Sequence, residues 1–252
     1  MKRNIARCLA PYPVASAIVI LLMSATPASA QVSWRGAYAG VDVGVGFKTQ
    51  QFGTTDGWFA GTTFQGSLDP RANIFGHAGF DFQVKQVVLG GEAGVGRLGY
   101  SGEMLYGPKQ DTKATTAGGV GWTAMGRIGW AYRQVMPYFA AGMIGSQNTA
   151  SIVDECNSGG CGTELGQGAG TTTATKWAVA YGVQIAATKR IAGRGWGLRI
   201  DWMQVDSSPI ANVFQRDVTG PAVPGSITVT NTVRTPLSNT LRVLFDIRLT
   251  RN

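Results

Sequence analysis

The chain has 252 residues, of which 14% are charged and 36 are glycine, and its formal net charge is +8. The basic excess is mild and scattered, and three of its members, Lys2, Arg3 and Arg7, lie at the N-terminus; removing these three from +8 leaves +5. A nucleic-acid-binding protein needs a clustered basic patch, so we expect no nucleic-acid partner. No apolar run after Met23 is long enough to form a membrane-spanning helix.

The N-terminus has the pattern of a secretory signal peptide: a basic start, an apolar run over residues 14–23, and small residues leading to Ala30. A membrane helix needs about 20 apolar residues, and this run is only half as long. We therefore expect residues 1–30 to be a signal peptide, with cleavage between Ala30 and Gln31, and residues 31–252 to form one exported domain. The alternative is a buried N-terminal helix.

Period-two alternation of apolar and polar residues dominates the exported part and predicts β-strands. In "TLRVLFDIRLT", for example, Leu241 and Val243 alternate with Arg242. Eight segments are predicted as strands: 37–47, 73–82, 87–98, 121–132, 137–145, 176–186, 195–205 and 240–250. The apolar face of segment 137–145 cannot be assigned, because small and apolar residues occupy both parities.

The connections between these strands alternate in length, which predicts an antiparallel meander. The long, polar links cover residues 48–72, 99–115, 146–175 and 206–239, and the short ones cover 84–86, 133–136 and 188–194. An even strand number with short turns at one end and long loops at the other is typical of bacterial outer-membrane barrels. The predicted fold class is all-β, an eight-stranded antiparallel up-and-down transmembrane barrel located in the bacterial outer membrane.

The fourth long link contains "SITVTNTV", whose alternation predicts a hairpin that extends the eighth strand outward. The other long links are expected to be surface loops.

The residues opposite the apolar faces decide between a membrane barrel and a soluble barrel such as a lipocalin. Among many glycines and alanines they include four acids and four arginines, namely Asp42, Glu92, Asp201, Asp246, Arg127, Arg199, Arg242 and Arg248. A soluble exterior would be richer in polar residues, whereas small residues with a few charges fit a narrow lumen. Since an unpaired buried charge is costly, equal numbers of each sign predict a charged network that plugs the lumen.

Aromatic residues near the strand ends support the same orientation. Lipid-exposed rings form girdles at the headgroup level of membrane barrels. The predicted girdle residues are Phe47, Trp130, Tyr132, Trp177, Trp196, Trp202 and Phe245.

The histidine His77 shares its face with Phe75 and Asp81 and therefore points into the predicted lumen. A two-residue turn at residues 84–85 would place His77 opposite Glu92. Catalysis would also require a nucleophile within hydrogen-bond reach of such a pair, and adjacent strands offer none. We expect no enzyme activity, no cofactor and no metal site; haem ligation by His77 is an alternative.

Two cysteines remain after the predicted cleavage, Cys156 and Cys161 in "CNSGGC". Export to an oxidising compartment favours a short disulfide between them. A metal site would need further ligands nearby, which the surrounding sequence lacks.

The segment "WRGAYAGVDVGVGF" resembles the opening strand of alphaproteobacterial outer-membrane surface proteins with a porin-family, or outer membrane protein beta-barrel, domain, similar to the opacity-protein and outer-membrane protein A barrels. "GRIGWAYRQVMPYFAAG", "LRIDWMQVD" and "NTLRVLFDIRL" resemble their later strands. The resemblance implies an integral outer-membrane barrel. Family members usually end on an aromatic residue, whereas this chain ends "LTRN".

These observations favour an outer-membrane barrel with a structural and surface-interaction role, in contact with outer-membrane lipid and with a host or envelope partner through its long loops. One alternative is a narrow diffusion pore with porin activity. Another is an adhesin or a haem- or ligand-binding surface protein. The sequence does not indicate an oligomeric state.

Overall fold

The computed structural model describes most of the predicted domain. The described residues are 32–46, 48–54, 63–106, 112–154, 167–187, 190–206, 208, 210–220, 223–235 and 239–249. The predicted signal peptide and cleavage site, Phe47, and the predicted disulfide partners Cys156 and Cys161 lie outside the described residues.

The described residues form thirteen β-strands. They are β1 (Gly36–Gly46), β2 (Lys48–Thr54), β3 (Thr63–Pro70), β4 (Ala72–Val84), β5 (Val87–Arg97), β6 (Tyr100–Tyr106), β7 (Thr112–Trp130), β8 (Val135–Asp154), β9 (Gln167–Ala186), β10 (Trp196–Val205), β11 (Ile210–Gly220), β12 (Val223–Thr235) and β13 (Thr240–Arg248). Within the described residues, no helix has the length and apolar character needed to cross a membrane.

Eight of these strands close into an antiparallel barrel, which confirms the predicted fold class. The ring runs β1, β4, β5, β7, β8, β9, β10, β13 and back to β1. The closing ladder pairs Tyr38 with Arg248 at one end and Gly46 with Thr240 at the other. Closure leaves no free edge in the ring, as a structure that spans lipid requires.

The long links are not loops throughout, contrary to expectation. They contain β2, β3, β6, β11, β12 and the outward ends of β7, β8 and β9, so the sheet continues well past the eight predicted segments. The ladders run from β7 through β6, β3, β2 and β12 to β11. The predicted hairpin at "SITVTNTV" is confirmed, because β12 pairs with β11 over its length. We call these outward strands the extension sheet.

The short links are tight turns at the opposite end of the barrel. Lys85, Arg133 and Ala192 each adopt positive φ in them, at 53°, 55° and 48°, and Gly193 follows at 76°. Positive φ lets a short turn match the right-handed twist of the flanking strands.

The first of these turns corrects the predicted register. Its two turn residues are Lys85 and Gln86, not residues 84–85, because Val84 pairs with Val87. The ladder is therefore displaced by two residues, and His77 lies opposite Gly94 instead of Glu92.

Burial alternates along the barrel strands as the period-two pattern predicts. On β1, Val41, Val43 and Val45 are exposed, whereas Asp42 is buried. The outer wall carries exposed apolar side chains on every strand of the ring, including the predicted girdle residues Trp130, Tyr132 and Trp177. Such a wall suits hydrocarbon, and the buried faces meet in the lumen.

The lumen is filled in layers. At the turn end, the turn-end cluster comprises Trp34, Val88, Ala131, Met136 and Ala186. Further outward lies the mid-lumen cluster, which includes Phe75, Leu98, Tyr100, Met125, Ile144 and Met203. A third apolar cluster around Met104 and Ile152 lies in the extension sheet. Polar and charged residues occupy the space between the first two clusters.

Candidate functional site: the charged lumen

The order of residues along single strands places a charged layer between two apolar ones. On β7, Ala131 belongs to the turn-end cluster and Met125 to the mid-lumen cluster, and the buried Arg127 lies between them. On β4, Asp81 and His77 likewise lie between the turn end and Phe75 of the mid-lumen cluster. The charged layer comprises three connected groups.

The first group is centred on Asp81, which is fully buried. Arg127 donates to it bidentately, from Nε to Oδ1 at 2.9 Å and from Nη2 to Oδ2 at 2.5 Å. Arg248 adds a bond from Nη1 to Oδ2 at 2.8 Å and also donates to the Trp34 carbonyl at 2.6 Å. Because Arg248 lies on β13 and Trp34 lies two residues before β1, this group ties β13 to the start of β1.

The second group is centred on Arg199, which is 2% exposed. Its Nη2 lies 2.5 Å from Glu92 Oε2, and its Nε lies 2.8 Å from Asp246 Oδ2. Gln184 donates to Asp246 Oδ2 at 2.7 Å. Four strands contribute to this group, so one guanidinium crosslinks opposite walls of the barrel.

His77 joins the second group through Asp246. Its Nε2 lies 2.6 Å from Asp246 Oδ1 and 3.0 Å from Arg199 Nη2. Its Nδ1 lies 3.8 Å from Asp42 Oδ2, a distance that fits an ion pair but exceeds hydrogen-bond range. The histidine therefore contacts Asp246, Asp42 and Arg199, and Glu92 is bound by Arg199 instead.

The third group pairs Asp201 with Arg242. The guanidinium donates from Nε and Nη2 to the two carboxylate oxygens, both at 2.8 Å. Tyr138 donates its hydroxyl to Asp201 Oδ2 at 2.5 Å.

Tyr38 lies where the first two groups meet. Its hydroxyl donates to Glu92 Oε2 at 2.9 Å. Arg127, Arg248 and Arg199 approach its ring, with their Cζ atoms 4.6, 5.2 and 5.6 Å from the centroid. Its ring therefore interacts with three guanidiniums from the first two groups.

The structure brings all nine sequence-selected lumen residues into this layer and adds others that the selection omitted. Asp81 was placed on the correct face with His77 but not included in the charge count. Tyr38 and Gln184 lie on the inward faces that the alternation pattern predicts, so the sequence could have identified them as lumen residues. Tyr138 lies on the strand whose faces were not assigned.

The charge count of the layer is five carboxylates against four guanidiniums. The carboxylates belong to Asp42, Asp81, Glu92, Asp201 and Asp246, and the guanidiniums to Arg127, Arg199, Arg242 and Arg248. The two signs balance when His77 is protonated on both nitrogens. Among the described residues, no group of three or more histidine, cysteine or acidic side chains has metal-site geometry.

A closed ring of eight antiparallel strands, with an apolar outer wall and a buried salt-bridge network inside, defines a small β-barrel of the bacterial outer membrane. Its apolar wall contacts membrane lipid. The sequence comparison then gives the family: residues 15–219 match the outer membrane protein beta-barrel domain, and the chain belongs to that family.

Curated relatives come from Brucella. The chain is 33% identical over 120 residues to the 25 kDa outer-membrane immunogenic protein of Brucella ovis, a match covering 46% of this chain and 50% of the relative. The Brucella abortus protein of the same name matches equally, with 47% of its length covered. The chain therefore spans about half the length of the curated relatives it matches.

Structural comparison finds similarity to solved outer-membrane proteins. One is OprG from Pseudomonas aeruginosa, at 11% identity and a TM-score of 0.47, covering 85% of this chain and 96% of that one. Neisserial surface protein A gives 15% identity and a TM-score of 0.32, covering 85% and 97%. Ail, the attachment invasion locus protein of Yersinia pestis, gives 9% and 0.32, covering 84% and 99%.

Proposed function

We propose that this protein is a non-catalytic, non-conducting barrel that has a structural role in the outer membrane and displays its extension sheet for surface interactions. The observation that carries the proposal is the layering of the lumen, in which the charged layer lies between the turn-end and mid-lumen clusters. An ion would have to pass both apolar clusters as well as the charged groups. We further propose that residues 1–30 direct export and that the charged network fills the lumen between the two apolar clusters, which together with it close the barrel.

The buried position of His77 argues against the alternatives that use it. His77 is 5% exposed, and its Nε2 is hydrogen-bonded to Asp246. Ligation of haem would require this hydrogen bond to break inside a filled lumen. A base for hydrolysis would in addition need access to substrate, which the surrounding layer does not provide.

Planar-bilayer recordings test the closed lumen. We expect the purified full-length barrel to give no stable single-channel openings at moderate voltage, measured beside a general porin that does. Stable openings approaching the porin conductance would contradict the proposal and favour the diffusion-pore alternative.

The surface role is supported by the extension sheet, which continues the barrel outward by five extra strands among the described residues. Replacing residues 210–235 by a short turn should leave a folded, heat-modifiable barrel but reduce binding of cells or envelope components to its surface. Unchanged binding by the shortened protein would place any partner site elsewhere.

A further inference from the structure

A groove of about 400 Å³ lies on the outer wall of the barrel across β7, β8 and β9. Its walls include Val120 and Trp122 from β7 and Thr173 and Thr175 from β9, all exposed, and Gln147 from β8 lies between them. The groove thus combines an indole ring with an amide and two exposed hydroxyl groups, and the buried Ser146 and the partly buried Ala174 complete its lining.

Two features of the backbone form the groove. The β7–β8 register shifts between Gly118 and Gly121, so β7 carries an extra residue there and the two strands separate locally. Below this bulge, the Trp122 indole lies over Gly145, where any Cβ would collide with the ring nitrogen. The glycine therefore lets the ring lie against the wall as one side of the groove.

The groove lies at the boundary between the apolar wall and the hydroxyl-rich extension sheet. On β9 the outward side chains change from Trp177 and Tyr181 on the turn side to Thr173 and Thr175 on the other. On β8 the same face changes from the exposed Met143 to Gln147, which lies four residues further from the turn end. Because long connections face the cell exterior in such barrels, this boundary corresponds to the headgroups of the outer leaflet.

An exposed cation lies beside the groove. Arg97 is paired directly with Val120, follows the lipid-facing Val95 at the same parity, and makes no ion pair with any other residue in the described part of the chain. A cation on this face is unfavourable in hydrocarbon but tolerated near the interface, where long side chains reach anionic headgroups. A phosphate is the partner that a guanidinium at this height would bind, bidentately.

We propose that the groove and Arg97 form a site for the phosphorylated glucosamine headgroup of one lipopolysaccharide molecule of the outer leaflet. The C–H face of the sugar stacks on Trp122, Gln147 and the threonine hydroxyls hydrogen-bond its polar substituents, and Arg97 pairs with its phosphate. The proposal requires only the membrane placement of the barrel and does not depend on whether the lumen conducts.

Native mass spectrometry of the full-length barrel in detergent, titrated with a deep-rough lipopolysaccharide, tests the site. We expect one tightly bound molecule, and about tenfold weaker binding for Arg97→Gln and for Trp122→Leu, since each removes one charge-assisted or stacking interaction. Lys85→Gln removes one cation and Trp130→Leu one indole at the turn end, and both variants should bind as the parent protein does. Lipid A without phosphates should mimic the effect of Arg97→Gln.

Two outcomes would overturn the proposal: binding by both groove variants equal to that of the parent protein, or phosphatidylglycerol binding with the same affinity and the same sensitivity to substitution. The second would indicate general attraction of anionic lipid. Heat-modifiable gel mobility establishes that each variant is folded. Should Trp122→Leu fail to fold, Thr175→Val, which keeps the shape of the groove, is expected to weaken binding several-fold and decides in its place.

Discussion

Asp201 is 2% exposed and accepts three hydrogen bonds, two from Arg242 and one from Tyr138. Burying a carboxylate and a guanidinium together is close to neutral relative to an apolar pair, but removing one partner leaves an uncompensated charge. Each charged side chain in the lumen is therefore required chiefly because its partner is present.

Arg242→Met should destabilise the barrel by about 3–5 kcal/mol, because Asp201 then remains buried without its cation. The double variant Arg242→Met with Asp201→Leu should recover most of that loss. Urea-induced unfolding in lipid vesicles, followed by tryptophan fluorescence, measures both.

Lys113→Met is the matched control, since it breaks an exposed ion pair with Glu103, and should cost less than about 1 kcal/mol. If the double variant were as unstable as the single one, the loss would stem from packing and not from the unpaired charge.

At the scale of the strand, which face meets lipid can be predicted from the sequence, but how neighbouring strands align cannot. The alternation in β13 determines its two faces because hydrocarbon excludes charge. The faces of β8 were not predictable, because the mid-lumen cluster makes its inner side apolar as well, through Tyr138 and Ile144. The β4–β5 register depended on which residues form the turn, and the sequence pattern allowed two choices.

Lys85→Val should destabilise the β4–β5 turn by about 1–2 kcal/mol, because a β-branched residue strongly disfavours the positive φ that Lys85 adopts. Lys85→Asn should be neutral or slightly stabilising, since asparagine tolerates this conformation. The same urea measurement distinguishes them. Equal stability of the two variants would mean that the turn is able to change conformation at little cost.

For the whole molecule, the extension sheet is the feature that the sequence predicted least well. Its inner face holds the third apolar cluster, but its outward face carries polar residues, so these strands lack the regular apolar alternation that marks a lipid-facing strand. Exposed threonines such as Thr149 and Thr171 lie at these positions, and polar composition of this kind suggests loops. β-branched residues nevertheless favour strands, and ladders that begin in the membrane continue through them.

The layered lumen predicts that breaking ion pairs will not open a channel. Arg199→Ala with Asp246→Ala should remain non-conducting, because both apolar clusters still close the barrel. Adding Phe75→Ser, Leu98→Ser and Met125→Ser should allow brief openings if the variant folds, as judged by heat-modifiable mobility. Stable conductance from the charge variant alone would show that the salt bridges, and not the apolar layers, form the barrier.

The ladder between β1 and β13 has a consequence for biosynthesis. Until the last nine strand residues arrive, β1 and β10 each present an unsatisfied row of amides and carbonyls, and such edges recruit other chains. A nascent or truncated polypeptide that stops before β13 cannot form a smaller barrel with the same register, and its two edges stay open to other chains. Completion of the cylinder consequently depends on β13, which supplies the partner for both open edges.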